Sequence, residues 1–227
     1  MRLDGKYALV TGGSSGIGAA CARALAAEGA GVVAAARRFT GTATAPAFGA
    51  VIEAHLDVTD ERQVSARVAE LPELDVLVCS AGTGTFGPIA TASADELRAM
   101  LDVHVVGTLA CGREALRRMQ PRRSGHIVVI GSHAAHHAFP DCGGYTAAKA
   151  GQLGLVRVLA AEARPHGVRV TAVLAGATDT PIWDDRPGFD RAKMMRPDDV
   201  ARFVVELVAR PEIAFDEITV LPPAGVL

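Results

Sequence analysis

Seven short apolar runs rich in β-branched residues recur along the chain, at 7–10, 31–36, 51–58, 75–79, 126–130, 168–174 and 218–221. None has the strict polar alternation of a sheet with one wet face, so the strands read as covered on both sides. Helical patterns separate most of them. After the first run, Ile17, Ala20, Cys21, Ala24 and Leu25 fall on one stripe, the spacing of a helix that buries a single face. Ser93 and Glu96 have capping-box spacing ahead of a long helix that runs towards Met119 and is stopped by Pro121. A third helix covers about 145–163, and a fourth opens at Pro197, a residue suited to the first helical position. Parallel crossovers need covering helices, so the pattern predicts a Rossmann-like, doubly wound α/β fold. Its sheet is mainly parallel and seven-stranded, with helices on both faces. One link departs from this: 37–50, RRFTGTATAPAFGA, has no helical stripe, so the helix between the second and third strands is missing or reduced.

At 227 residues and 49% apolar content the chain suits one core, and a single domain over 1–227 is expected. Its net charge of −2 disperses 23 basic among 25 acidic residues, which argues against a nucleic-acid or membrane partner. The N-terminus lacks a signal-peptide pattern, and no run approaches the roughly 18 apolar residues of a membrane span, so a cytoplasmic protein is expected. Cys21, Cys79, Cys111 and Cys142 form no CxxC pair and read as free thiols.

Directly after the first strand comes Thr11-Gly12-Gly13-Ser14-Ser15-Gly16-Ile17-Gly18, and the first helix begins inside it. Glycines let backbone approach a pyrophosphate closely, and the free N–H groups of a new helix attract its charge. Further on, Tyr145 and Lys149 stand at i and i+4 on one helix face, in a chain with only 2 tyrosines. A cation beside a phenol favours the phenolate and suits it to proton transfer. Ser132 ends the fifth strand, and parallel sheets bind ligands at the carboxyl ends of their strands. An acidic residue ending the second strand would hold the ribose diol of NAD; Ala36 stands there instead, followed by Arg37 and Arg38. Guanidinium groups suit a 2′-phosphate, so NADP(H) is favoured over NAD(H).

With the spacing Gly12…Gly16-x-Gly18 and Tyr145-xxx-Lys149, nearly the whole chain resembles the short-chain dehydrogenase/reductase (SDR) family. The resemblance implies an NAD(P)-dependent oxidoreductase acting on a carbonyl or alcohol. Ser132 would then bind the substrate oxygen, Tyr145 serve as general acid and base, and Lys149 hold the nicotinamide ribose. Gly12, Ser14, Ser15, Gly16, Ile17 and Gly18 would cradle the pyrophosphate. Asp57 and Val58 match the adenine-contacting pair, and Ala81-Gly82 the turn after the fourth strand, although Cys79-Ser80 replaces its usual Asn-Asn. His104 takes the place of the family's asparagine in the long helix, where it is either a proton-relay member or a packed residue. Gly176, Thr178 and Thr180 stand where the family grips the carboxamide and phosphates, although Ala175 replaces its proline.

Trp183, Phe189, Met194 and Met195 within 181–196 suggest a substrate lid for a mostly nonpolar small molecule, or an interface segment. His133, His136, His137 and Cys142 read as a pocket or surface loop rather than a metal site. The resemblance also implies a homodimer or homotetramer through helices around 97–119 and 145–163. The alternative function is a catalytically weak cofactor-binding protein with a sensing or assembly role.

Overall fold

The computed structural model describes residues 1–41, 45–184, 186 and 188–226. Its strands are β1 (Tyr7–Thr11), β2 (Gly31–Ala36), β3 (Val51–His55), β4 (Val76–Cys79), β5 (His126–Ser132), β6 (Arg169–Ala175) and β7 (Glu217–Val220). They form one sheet in the order β3-β2-β1-β4-β5-β6-β7, with every pairing parallel. The order reverses between β1 and β4, so the carboxyl ends of these two strands open the crevice where doubly wound sheets bind ligands. Thr11 lies opposite Cys79 across this switch, and Ser132 opposite Ala175 further along.

The central strands alternate between two buried layers, which explains their continuous apolar reading. Leu9, Leu77, Ile127 and Leu174 pack with α2 (Glu61–Ala69), α4 (Gly107–Met119) and α5 (Gly143–Ala163). Val10, Val78, Val128 and Val173 pack on the other face with α1 (Gly16–Ala27) and α6 (Pro197–Val208). Each fully buried Leu or Val contributes roughly 1.5–3 kcal/mol. The four cysteines are free and buried. Among the described residues no helix is long and apolar enough to cross a membrane.

Local deviations have local causes. β3 ends at His55, short of 58, because Asp57 turns the chain: its Oδ1 accepts from the Thr59 N–H at 3.0 Å and hydroxyl at 2.8 Å. Between β2 and β3 the described residues carry no helix, while 42–44 of the expected loop lie outside the described residues. The periodicity does not single out α2, which is fixed by Asp60 capping the N–H groups of Arg62 and Gln63. The helix expected from Ser93 to Met119 is present but locally widened. Ser93 caps its first part, α3 (Ala94–Leu101), which passes through a π-helical turn at Asp102–Val106 into α4. Such widened turns concentrate at functional sites, and this one carries His104.

His126 opens β5 at the far end from the crevice and is 3% exposed. The Thr171 hydroxyl donates to the Phe215 carbonyl at 2.6 Å, so it accepts from His126 Nε2 at 2.8 Å. Burial, then Arg169, pushes the imidazole pKa down to about 3. The unfolded chain takes up this proton near the ordinary value of about 6.5. Stability is therefore intact above about pH 6.5 and declines as pH falls towards 3. His126→Gln keeps a donor but does not titrate. Over this window it should lose less stability than the parent, by up to about 4 kcal/mol, in denaturant melts at stepped pH.

Candidate active site

Glycine has a steric reason at several positions of the first turn. Gly12 has φ +68°, and a Cβ there would lie 2.6 Å from the Ser80 carbonyl oxygen. A Cβ on Gly18 would sit 2.4 Å from the Gly12 carbonyl oxygen, and one on Gly16 would sit 3.0 Å from the Thr180 methyl. The turn thus packs strand β1, helix α1 and the 176–180 segment against one another at backbone distance. Ser15 begins α1 in extended conformation with no side-chain cap, and the first turn carries no acidic residue. Ser14, Ser15 and Ile17 are only partly buried, so the helix N-terminus presents N–H groups and positive potential to the crevice. This cradle fits a dinucleotide pyrophosphate.

Tyr145 lies in the first turn of α5 and Lys149 one turn on. The lysine is 5% exposed, and its Nζ lies 5.8 Å from the Tyr145 ring centre. It donates to the Ile130 carbonyl at 3.1 Å and to Gln152 Oε1 at 2.9 Å, and Gln152 Nε2 donates to the Thr108 hydroxyl at 2.9 Å. Burial pushes the Lys149 ammonium down to about 7 and the Tyr145 phenol up to about 12. The neighbouring Ser132 hydroxyl acts in the opposite direction and favours ionisation of the phenol. The expected lowering of the phenol by Lys149 is therefore not what the geometry gives, since Lys149 is engaged elsewhere. At neutral pH the phenol keeps its proton and the lysine is divided between two forms. Ser132 ends β5 and its Oγ accepts from the Ala134 N–H at 3.1 Å, which holds the side chain at the strand's end.

His104 is 1% exposed and meets the Tyr145 ring edge-on, with centroids 5.7 Å apart and planes at 85°. Its Nε2 lies 2.6 Å from the Thr83 carbonyl and therefore carries the proton; Nδ1 is buried without a partner. Burial, then the Lys149 charge, pushes its pKa down to about 3. A Cβ on Gly82 would come within 2.9 Å of this ring, so Gly82 makes room for His104 as well as keeping the turn open. Gly107, at the start of α4, likewise leaves space for Val58.

The other expected residues surround the same crevice. Arg37 and Arg38 are exposed just beyond β2, Val58 is buried and Asp57 half-buried. Gly176 packs against Leu221, Thr178 bonds back to the Gly176 carbonyl at 3.0 Å, and Thr180 closes over Gly16. The 181–196 segment divides in two. Met195 packs into the core and pairs with Thr178 rather than lining a pocket. Trp183 and Phe189 lie 4.7 Å apart in a cluster with Phe86 and Arg186, while positions 185 and 187 of the expected lid lie outside the described residues. His133 stacks on His137 at 5.4 Å. Among the described residues no three His, Cys, Asp or Glu side chains gather around one metal position.

Sequence reasoning missed Thr11 and Gln152. Thr11 is 1% exposed, and its hydroxyl accepts from the Ser80 and Ala81 N–H groups at 3.2 and 3.3 Å, which ties the turn after β4 to β1. A hydroxyl closing an otherwise apolar strand is the available signal. Gln152 had a weaker one, its i+3 spacing from Lys149.

A model of the short chain dehydrogenase family matches residues 6–188. Glycine betaine reductase of Emericella nidulans is 36% identical over 97% of this chain, which spans 19% of that protein's length. Cis-4-hydroxycyclohexanecarboxylate dehydrogenase of Sinomonas cyclohexanicum is 36% identical, with 95% of this chain and 88% of that protein covered. The solved alcohol dehydrogenase of the archaeon Thermococcus sibiricus, complexed with 5-hydroxy-NADP, superposes with a TM-score of 0.84 at 27% identity and covers 96% of this chain and 97% of that one.

Proposed function

Because the chain belongs to the short chain dehydrogenase family of NAD(P)-dependent oxidoreductases, we propose that it is an NADP(H)-preferring carbonyl reductase or alcohol dehydrogenase acting on a mostly nonpolar small molecule. The observation that carries this reading is the nearness of Tyr145, on the first turn of α5, to Ser132 at the carboxyl end of β5, in the crevice that the glycine turn opens.

In this reading the N–H groups of the Gly12–Gly18 turn, including those of Ser14, Ser15 and Ile17, hold the pyrophosphate. Asp57 and Val58 border the adenine, and Ala81, Gly82, Gly176, Thr178 and Thr180 border the rest of the dinucleotide. When bound, the nicotinamide supplies or accepts the hydride. Ser132 and Tyr145 hydrogen-bond the substrate oxygen; Tyr145 gives that oxygen its proton during reduction and takes it back during oxidation. Lys149, one helical turn from Tyr145 and held by the Ile130 carbonyl and Gln152, borders the ribose. His104 positions Tyr145 by edge contact and joins the site through packing, because burial keeps its ring uncharged at pH 7 and the Thr83 carbonyl holds its Nε2 proton. Phe86 and Trp183 give the substrate an apolar wall.

Arg37 and Arg38 support the cofactor preference, since among the described residues neither is held in an ion pair and both flank the end of β2. The assay follows NADPH and NADH absorbance against ketones, quinones and acyl thioesters. NADPH should give the higher kcat/KM, and the double variant Arg37→Ala, Arg38→Ala should reduce that preference about 10- to 100-fold. Equal use of both cofactors by the parent would remove the assignment. A mainly apolar groove on α4 and α5, lined by Leu109, Leu116, Leu155 and Leu159, supports a homodimer or homotetramer through these helices.

A further inference from the structure

Among the described residues, the guanidinium near Tyr145 meets no carboxylate. The Arg186 guanidinium lies 4.0 Å from the centre of the Phe86 ring and 4.9 Å from each of the Trp183 and Phe189 rings. Phe86 in turn stands 5.4 Å from the Tyr145 ring. The charge is therefore one aromatic ring away from the phenol, close enough to act on its ionisation. The nearby carboxylates of Asp179 and Asp184 are both taken by Arg191. Among the described residues the acceptor that Arg186 meets is the Cys142 sulfur, 3.8 Å from Nη2, a weak partner for a guanidinium.

Ring faces attract the charge but offer no oxygen to its donors, whose planar fork matches a carboxylate in bidentate geometry. A half-buried guanidinium whose partners among the described residues are three ring faces and a thiol is poised for an incoming anion. A single cation among aromatic rings suits a planar monoanion. A phosphate dianion would call for further donors, and the neighbouring Arg191 is already paired.

We propose that Arg186 is the recognition residue for a carboxylate on the substrate. The substrate class is then an acid whose carbonyl or alcohol lies a short apolar spacer from its carboxylate, with the spacer lying along Phe86. This rests on the function proposed above for Ser132 and Tyr145, but the anion site can be tested without turnover.

Calorimetric titration of the NADP-loaded protein with 4-phenylbutanoate and with its uncharged amide measures the preference for a carboxylate. The acid should bind at least about 10-fold tighter. Arg186→Met should bring the ratio close to one, and Arg186→Lys, which keeps the charge but loses the fork, should restore part of it. Circular dichroism melts establish that each variant is folded. A parent that binds the two ligands equally, or a ratio unchanged in Arg186→Met, overturns the proposal. Reduction of 4-oxo-4-phenylbutanoate with NADPH or NADH is followed in parallel. A retained carboxylate preference without any reduction would support the anion site and reject the oxidoreductase reading of it, so the two failures are distinct.

Discussion

Tyr145→Phe should lower kcat by about 10²- to 10⁴-fold, the range lost with a positioned general acid, while the protein stays folded and still binds dinucleotide. The substitution removes one oxygen and leaves the ring, so the contacts to Phe86 at 5.4 Å and His104 at 5.7 Å persist. What disappears is the acidic hydroxyl beside Ser132, which holds its proton at neutral pH because burial raises its pKa to about 12. Ser132 can still bind the substrate oxygen, but its proton comes off too reluctantly to replace the phenol's. Steady-state kinetics on the best substrate of the panel, with a fluorescence titration of the cofactor, checks both halves. Near-normal turnover would show that protonation does not pass through this residue.

Gly18→Ala should cost about 2–4 kcal/mol of stability and weaken dinucleotide binding by about two orders of magnitude. The added methyl would lie 2.4 Å from the Gly12 oxygen and 2.8 Å from its carbonyl carbon, and both are backbone atoms with nowhere to go. Gly12 cannot retreat, because it already holds a positive φ of +68° and closes on the Ser80 carbonyl. The turn must therefore open, and the N–H groups aimed at the crevice are displaced with it. Gly154 is the control. It lies within α5, where a methyl added to its backbone would meet nothing within 4 Å, so Gly154→Ala should stabilise by about 0.5–1 kcal/mol through helix propensity. Denaturant midpoints and cofactor titrations compare the two. Equal behaviour would mean that the first turn is not sterically closed.

Much of this was legible in the chain because its signals are local. Runs such as 75–79 and 126–130 read as strands since both faces of the central sheet are covered, and the Gly12–Gly18 and Tyr145-xxx-Lys149 spacings each fix geometry within one turn or helix. The widened turn at Asp102–Val106 was not legible, because Leu101, Val105 and their neighbours keep an ordinary helical pattern. What pulls His104 inward is the Thr83 carbonyl, brought there from another strand's end. The Lys149–Gln152–Thr108 chain joins α5 to α4, and such pairings depend on packing. The same holds for Met195, an apolar residue that reads equally well as lid or core until its pairing with Thr178 is known. The ionisation of Tyr145 went the other way from the expectation for a similar reason: spacing places a lysine one turn away but does not reveal that Ile130 and Gln152 already hold it.

The central claim is that Ser132 and Tyr145 hold a substrate oxygen while hydride passes to the carbon that bears it. Reduction of a ketone with cofactor deuterated at the nicotinamide C4 tests this most directly, with the alcohol analysed by mass spectrometry and NMR. The account predicts one deuterium on the carbinol carbon with the parent protein and a large loss of that product with Tyr145→Phe. Alcohol formed without deuterium from either face of the labelled cofactor, or labelled equally fast by Tyr145→Phe, would contradict it.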